Sequence, residues 1–432
     1  MITRRSVLGS TAAALGAAAL PLPATASAPG DFVTRKGTGL FLRGKPYRFA
    51  GSNMWYAAWL GADAPWGNRD RLRRELDTLA GIGVRNLRVA ASAEDSPLKN
   101  SVKPAFRTRG SAWNPALVDG LAYALAEMGK RDIKAVLYLT NFWEWSGGMM
   151  TYLSWVNGGK YLDMNDPAHP WPEFPDMTAQ FYASSEAVAL FHDYVRATVK
   201  RHAGDPTIMA WQLANEPRPC GSPKSAEPFL AAYNGWIQGT AKLIKSLSPK
   251  HMVSTGSEGL KGSVERADVY KAAHAFPEID YLTAHIWPLN WGWVDAKNIA
   301  GTNDASFARV RDYIAQHIAL ATDMGKPLVI EEFGYPRDGG GYDPESATSF
   351  KDGYYKLIYD AVEANPGIIA GSNFWAWNGE GRPVHGDHRF RPGDTAWLGD
   401  PPHEPQGWYG VFDSDASTRA VVAAHAKALA AV

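Results

Sequence analysis

"WQLANEPRP", residues 211–219, sets an apolar run against an Asn-Glu pair and then stops it with two prolines. Ile208, Met209, Ala210, Trp211, Leu213 and Ala214 read as a strand buried on both faces. Pro217 and Pro219 cannot continue a hydrogen-bonded ladder. Asn215 and Glu216 therefore fall where a buried strand ends. A carboxylate in that position needs a partner, a solvent-filled cleft or a chemical task.

The same pattern recurs on both sides of this stretch. Apolar, β-branched runs that read as strands cover 47–53, 84–91, 133–140, 208–214, 252–257, 281–285, 328–332 and 368–375. Amphipathic stretches that read as helices lie near 69–82, 114–130, 185–203, 226–247, 262–274, 303–324, 345–365 and 416–431. Eight strand-helix units in succession predict an α/β protein with a (β/α)8 barrel, a single catalytic domain over residues 29–432. A doubly wound dinucleotide fold is disfavoured, because no Gly-x-Gly-x-x-Gly follows any strand. The loop after the third strand, 142–181, is long and rich in Trp, Gly, Pro and Asp. Its length predicts a functional role or short elements of its own.

The composition is that of a globular protein: 432 residues, 45% hydrophobic, with 44 basic and 44 acidic side chains. Zero net charge and no basic block argue against a nucleic-acid or acidic partner. Seventeen Trp and 18 Tyr suggest aromatic faces for sugar stacking, or an aromatic-rich core. The first 28 residues read as an export signal: Arg4 and Arg5, an apolar run too short to anchor in a membrane, then small-x-small sites at 24–28. "TRRSVLG" also resembles a twin-arginine signal. An exported protein, periplasmic or secreted, is expected, with no membrane association and as a monomer. Cys220 is the only cysteine, so no internal disulfide can form. It reads as a small semi-buried residue rather than a nucleophile, since no His-Asn pattern accompanies it.

In such a barrel, chemistry gathers where the strands end. Those ends carry Arg88, Asn141 and Trp143, Asn215 and Glu216, His285 and Trp287, Glu331 and Glu332, and Trp375 and Trp377. Carboxylates on the fourth and seventh strands would face each other across the barrel mouth. Such a pair cleaves a glycosidic bond with retention at about 5–5.5 Å separation, and with inversion at about 6.5–9.5 Å. Arg88 keeps its charge and favours an ionised neighbour. Glu331 and Glu332 should alternate faces, so at most one points into the barrel and the other is expected to pair with a Lys or Arg on a helix. Glu216 can also be read as a cap for the following segment, and His285 as a structural histidine. Asp, His and Glu show no metal-ligand spacing along the chain, so neither a metal nor a cofactor is expected.

"WQLANEPR" followed by "VIEEFGYP" resembles the two catalytic motifs of glycoside hydrolase family 5. With "GKPYRFAGSNMWY" (44–56), "NLRVAA", "NFWEWSGGMMTYLSW" (141–155), "HIWPLNWGW" (285–293) and "NFWAW", the chain resembles its endo-β-1,4-mannanase branch over nearly its whole length after the signal. The resemblance implies Glu216 as general acid/base and Glu332 as nucleophile, with Glu331 structural. It implies that Asn215 contacts the 2-hydroxyl of the sugar at the cleavage point and that Arg88 holds Glu332 ionised. His285 would position the site, Trp375 would be the stacking floor, and Arg218 would contact the leaving-group side. Trp143, Trp287, Trp55 and Tyr56 would complete the sugar-binding set. The implied reaction is retaining endo-hydrolysis of β-mannan or manno-oligosaccharides. Exo-acting or oligosaccharide-specific mannosidase and β-1,4-glucanase activities are the alternatives within the family. A non-catalytic polysaccharide-binding barrel and a Cys220 enzyme are the alternatives outside it. Two departures stand out. Trp287 occupies a place where the family usually has Tyr, and an indole can donate but not accept a hydrogen bond. The pair Trp55-Tyr56 is also reversed relative to many members.

Overall fold

The computed structural model describes residues 31–110 and 113–431. The expected export signal, residues 1–28, lies outside the described residues. Eight parallel strands form one sheet: β1 (Phe49–Asn53), β2 (Asn86–Ala90), β3 (Lys134–Tyr138), β4 (Ile208–Gln212), β5 (Met252–Ser254), β6 (Leu282–Ile286), β7 (Leu328–Phe333) and β8 (Ile369–Phe374). Their order is β5-β4-β3-β2-β1-β8-β7-β6, so each strand lies beside its neighbours in sequence. The ends of that order meet through single backbone bonds. Asp280 N–H donates to Val253 O at 2.7 Å, and His285 N–H donates to Glu258 O at 3.0 Å. The result is the predicted (β/α)8 barrel. All eight strands are buried along their whole length, which is why they read as apolar runs rather than alternating ones.

The surrounding helices are α1 (Arg69–Gly81), α2 (Pro115–Gly129), α3 (Ser185–His202), α4 (Glu227–Leu247), α5 (Ala267–His274), α6 (Ile299–Met324), α7 (Ser349–Ala364) and α8 (Ala416–Ala430). Their starts follow local chemistry: Asn68, Asn114, Ser184 and Asn298 each accept a hydrogen bond from a first-turn N–H. The helix predicted over 262–274 is shorter than expected. Val264 and Glu265 adopt left-handed φ values of 50° and 60°, which breaks it before Ala267. At the N-terminal end, a three-stranded antiparallel sheet (Thr34–Lys36, Gly39–Leu42, Lys45–Pro46) closes the barrel. Val33, Leu40 and Tyr47 pack there against strand residues Val136, Met209, Met252 and Val329. The opposite, C-terminal mouth is left for the site. Among the described residues no helix is long and apolar enough to cross a membrane.

Two excursions rise above that mouth. The one after β3 carries the short helices Gly148–Val156 and Glu173–Thr178, as its length predicted. The second, from about residue 380 to 410 after β8, has almost no regular structure and was not singled out in the sequence. Behind the mouth, the short helix Ala57–Gly61 packs backbone to backbone on α2. A Cβ on Gly120 would lie 2.2 Å from Ala58 O, and one on Gly61 would lie 2.3 Å from Gly120 O. Gly120→Ala should therefore lower the melting temperature, although alanine favours a helix over glycine by about 1 kcal/mol. A variant that melts at or above the wild-type temperature would refute this close approach.

Candidate active site

The chain past β4 continues between extensions of its neighbours. Asn215 N–H donates to Thr140 O (2.8 Å) and Glu216 N–H to Gly256 O (2.9 Å). Glu216 has φ of 48°, a left-handed conformation that costs a non-glycine residue free energy and persists only where its surroundings enforce it. Its side chain is held on both oxygens. Oε1 accepts from His285 Nδ1 at 2.6 Å, and Oε2 from Trp143 Nε1 at 2.6 Å. Glu332 lies on β7 beside Arg88, whose Nη1 bonds its Oε1; its other oxygen is 3.3 Å from His285 Nδ1.

Arg88 on β2 organises the floor. Nε donates to Gln212 Oε1 (2.8 Å), Nη2 to Asn215 Oδ1 (2.8 Å), and the guanidinium stacks on Tyr138 at 4.7 Å. Asn215 passes the connection on by donating to Asn141 Oδ1 at 3.0 Å. Arg88 and His285 are fully buried. Both act from beneath the two carboxylates rather than on the pocket surface.

The expectation for Glu331 is overturned. It does not pair with a helix; it turns inward together with Glu332. The register of β7 against β6 shifts between Ile330 and Glu332, so two residues of β7 oppose one step of β6. Such a bulge suspends the period-two alternation that the expectation relied on. Glu331 Oε2 accepts from Gln212 Nε2 at 2.5 Å and lies 3.4 Å from Arg88 Nε and 3.7 Å from His285 Nε2.

Three carboxylates thus share two cationic groups. Burial lowers the proton affinity of His285, but Glu332, Glu216 and Glu331 outweigh it and push the imidazole up to about 10. Burial raises Glu216, but the His285 hydrogen bond and charge, Arg218 and Trp143 overcome it and hold the carboxyl at about 2. Burial raises Glu332, and with Glu216 and Glu331 it outweighs His285 and Arg88, to about 7. Ligating atoms of Glu216, His285 and Glu332 lie within 4.8 Å of one another. Sequence spacing could not reveal that grouping, because the three come from different strands. A small cation could be held there only by displacing the hydrogen bonds and ion pairs just described.

Above this floor is a pocket of about 370 Å³. Trp143, Trp145, Trp171, Trp287, Trp291 and Trp375 line it, with Asn215, Glu216, Arg218 and Glu332. Of the residues selected from sequence, Trp55 and Tyr56 do not line it. Both are buried: Trp55 Nε1 donates to Gly399 O (2.9 Å) and Tyr56 O–H to Trp377 O (2.8 Å). Trp55 instead supports Trp145 from behind, with ring centroids 5.5 Å apart. Trp287 packs edge-on against Trp375 and Tyr409, at 5.9 and 5.0 Å. The Tyr409 hydroxyl goes to Asn290, so it does not replace the tyrosine the family usually has at position 287. Cys220 is buried, donates to Ser222 O and lies off the pocket; burial, its main influence, raises its pKa.

Sequence reasoning missed several lining residues. Glu258, past β5, forms an ion pair with Arg218 and accepts from Trp291 Nε1 at 3.2 Å. Pro401, His403 and Glu404 come from the excursion after β8. The segment "GDPPHEPQGWYG" has the proline and tryptophan density that marked the 142–181 loop, a signal that could have found it.

A family model described as "GH family 5 beta-mannosidase-like" matches residues 30–432. The chain belongs to glycoside hydrolase family 5. A family 5 mannosidase from Rhizomucor miehei superposes with a TM-score of 0.85 at 32% identity, covering 94% of this chain and 99% of that one. A variant of that mannosidase, in complex with mannosyl-fructose, gives 0.84. An endo-1,4-beta-mannanase from the same fungus shares the fold, with a TM-score of 0.67, 22% identity and coverage of 93% and 100%. In sequence the chain is similar to mannan endo-1,4-beta-mannosidase 1 of Solanum lycopersicum, 26% identical over 87% of this chain and 89% of the tomato protein.

Arg88 is the buried counter-charge for Glu331 and Glu332. Arg88→Met should cost about 3–5 kcal/mol, the range for leaving a buried charge unpaired. Glu332, raised to about 7 even beside Arg88, would rise further without it. The two proteins then differ in proton uptake only above about pH 7, where wild-type Glu332 ionises at less cost than that of the variant. Denaturant unfolding at pH 6 and pH 9 should show the gap to wild type widening at pH 9; an equal or narrower gap would contradict the assignment.

Proposed function

We propose that this family 5 enzyme cleaves β-1,4-mannosidic bonds with retention, and that it acts on short manno-oligosaccharides and chain ends. The observation that carries the substrate reading is the wall built by the excursion after β8. His403 and Glu404 line the pocket, and Glu404 Oε2 and His403 Nδ1 are buried with no hydrogen-bond partner among the described residues. Burial, with Asp400, Glu332 and Glu216 nearby, keeps the Glu404 carboxyl protonated well above the usual carboxylate range. It can therefore donate as well as accept. Burial also lowers His403, to about 4, so its ring is neutral. Neutral donors and acceptors over a tryptophan-lined floor suit sugar hydroxyls. The mannosidase from Rhizomucor miehei and its mannosyl-fructose complex support the same reading. Endo-cleavage of polymeric mannan is the second reading, favoured by the named activity of the tomato relative. Export and a monomeric state belong to the proposal as well.

In the proposed reaction Glu332 attacks the anomeric carbon while Glu216 protonates the departing oxygen. Water, deprotonated by Glu216, then releases the sugar. A retaining pair stands on the narrow side of the two geometries, and carboxylate oxygens within 4.8 Å support it. One proton must be shared by the pair. In the free site it rests on the Glu332 side. His285 Nδ1, 2.6 Å from Glu216 and 3.3 Å from Glu332, lies on the path between them. Positive charge developing at the anomeric carbon favours ionised Glu332 and leaves the proton for Glu216.

The test is product analysis on mannobiose, mannotetraose and linear mannan. Mannose released stepwise from the oligosaccharides, with little fall in mannan viscosity, supports the proposal. A spread of oligosaccharides from mannan would replace it with the endo reading, and cleavage of cellulose alone would overturn the substrate. Glu216→Ala and Glu332→Ala should each lower kcat/KM by at least about a hundredfold, as expected for removal of an acid/base or nucleophile. The pH profile follows from the shared proton. The pair gains a second proton near about 2 and loses its last near about 7, so kcat/KM should fall above neutral pH. Activity that holds level to pH 9 would exclude one-proton catalysis.

A further inference from the structure

We propose that Glu331 is a positioning residue for the reaction: it fixes the tautomer and the positive charge of His285, the group that bridges the two catalytic carboxylates. This rests on the roles given above to Glu216 and Glu332.

The argument starts from the bulge in β7, which turns Glu331 inward instead of outward. His285 presents Nδ1 to both Glu216 and Glu332 and presents Nε2 to Glu331 Oε2, 3.7 Å away. Among the described residues, His285 Nε2 has no hydrogen-bond partner, and neither has Glu331 Oε1. At 3.7 Å the influence is that of a charge rather than of a hydrogen bond. A carboxylate facing Nε2 favours a proton there, because the other tautomer would set a lone pair against it. With Nε2 protonated, Nδ1 is the nitrogen that gains or loses a proton, and Nδ1 is the atom between the two carboxylates. An imidazole oriented by an acid on one nitrogen and working through the other is the logic of a catalytic triad. Gln212 holds the free rotation of Glu331 in check by donating to its Oε2.

Other charges meet the same group. Arg88 from β2 lies against Glu331 and Glu332, and Tyr138 from β3 stacks beneath that guanidinium. Tyr281, ahead of β6, feels both Glu331 and Arg88. Arg218 and Glu258 face the Glu216 side, and Glu404 approaches from the excursion after β8. Arg88 and His285 supply two positive charges, and Glu216, Glu331 and Glu332 three negative ones. The single proton of the proposed chemistry makes the cluster neutral. Without the Glu331 charge, the cluster needs that proton less and surrenders it at lower pH. The raised proton affinity of His285 agrees with this sign.

The experiment is the kcat/KM pH profile of Glu331→Gln and Glu331→Asp on a manno-oligosaccharide. Glu331→Gln should move the basic limb toward acid by about one pH unit, the size of effect a close buried charge produces. Glu331→Asp keeps the charge and should keep the limb. A Gln variant that loses kcat or melts lower with an unmoved limb would overturn the proposal, since a merely structural residue behaves in that way. Nitrogen-15 NMR of histidine-labelled wild type gives a reading that does not depend on the variant folding. The signal missing from His285→Asn should be an imidazolium at pH 8; a neutral ring protonated on Nδ1 at pH 7 would overturn the proposal. Should Glu216→Ala and Glu332→Ala keep wild-type rates, the reading of the pair itself fails. Should both be inactive while the limb of Glu331→Gln stays in place, only the role of Glu331 fails.

Discussion

A guanidinium fully buried among the barrel strands is the constraint on which the site depends. Arg88 cannot discharge itself by losing a proton. Its burial is tolerable only because Glu331, Glu332, Asn215 and Gln212 surround it with acceptors. The carboxylates are in turn tolerable only because Arg88 and His285 are there. The cluster is therefore fixed as a unit, with partners from β2, β4, β6 and β7. Removing one member exposes the others to the full penalty of a buried unpaired charge. A catalytic pair needs the same rigidity, since its oxygens must be placed before the sugar arrives.

The scaffold supplies that rigidity in layers. The antiparallel sheet at the N-terminal end closes the barrel bottom with Val33, Leu40 and Tyr47 packed on strand residues. Close backbone contact at Gly61 and Gly120 pins the chain after β1, where Trp55 and Tyr56 brace the rim from inside. Trp55 touches Trp145, and Trp145 lines the pocket. The two aromatics after β1 thus contribute to the sugar site at one remove. The excursions after β3 and β8 then line the barrel mouth with Trp143, Trp145 and Trp171 and with Pro401, His403 and Glu404. The fold is that of family 5, and the two excursions add residues of their own to the pocket lining.

Glu331 shows how a local irregularity acquires chemical weight. A regular β7 would send one of two adjacent glutamates outward. The one-residue register shift sends both inward and gives His285 a negative charge on its far side. The cost is a third buried carboxylate, offset by Arg88, by Gln212 and by the proton held on the imidazole.

Much was legible in the sequence because it follows from short-range rules. Eight apolar runs alternating with amphipathic stretches fixed the barrel. Prolines after Asn215-Glu216 ended a buried strand at a carboxylate. Polar and aromatic residues at strand ends picked out Arg88, Asn215, Glu216, His285 and the pair Glu331-Glu332, and the family resemblance singled out Glu332 from that pair. Other features depend on contacts between segments far apart in the chain, which a linear pattern does not carry. The inward turn of Glu331 required the pairing of β7 with β6. The burial of Trp55 and Tyr56 required Gly399 and Trp377 from the other end of the chain. Glu258, His403 and Glu404 joined the pocket only because β5 and β8 end at the same mouth. Sequence by itself determined the fold and which residues stand at the strand ends, because periodicity and chain breaks are local. Tertiary structure decided the ion pairs around Arg88 and His285 and the lining of the pocket, because both arise only where distant strands meet.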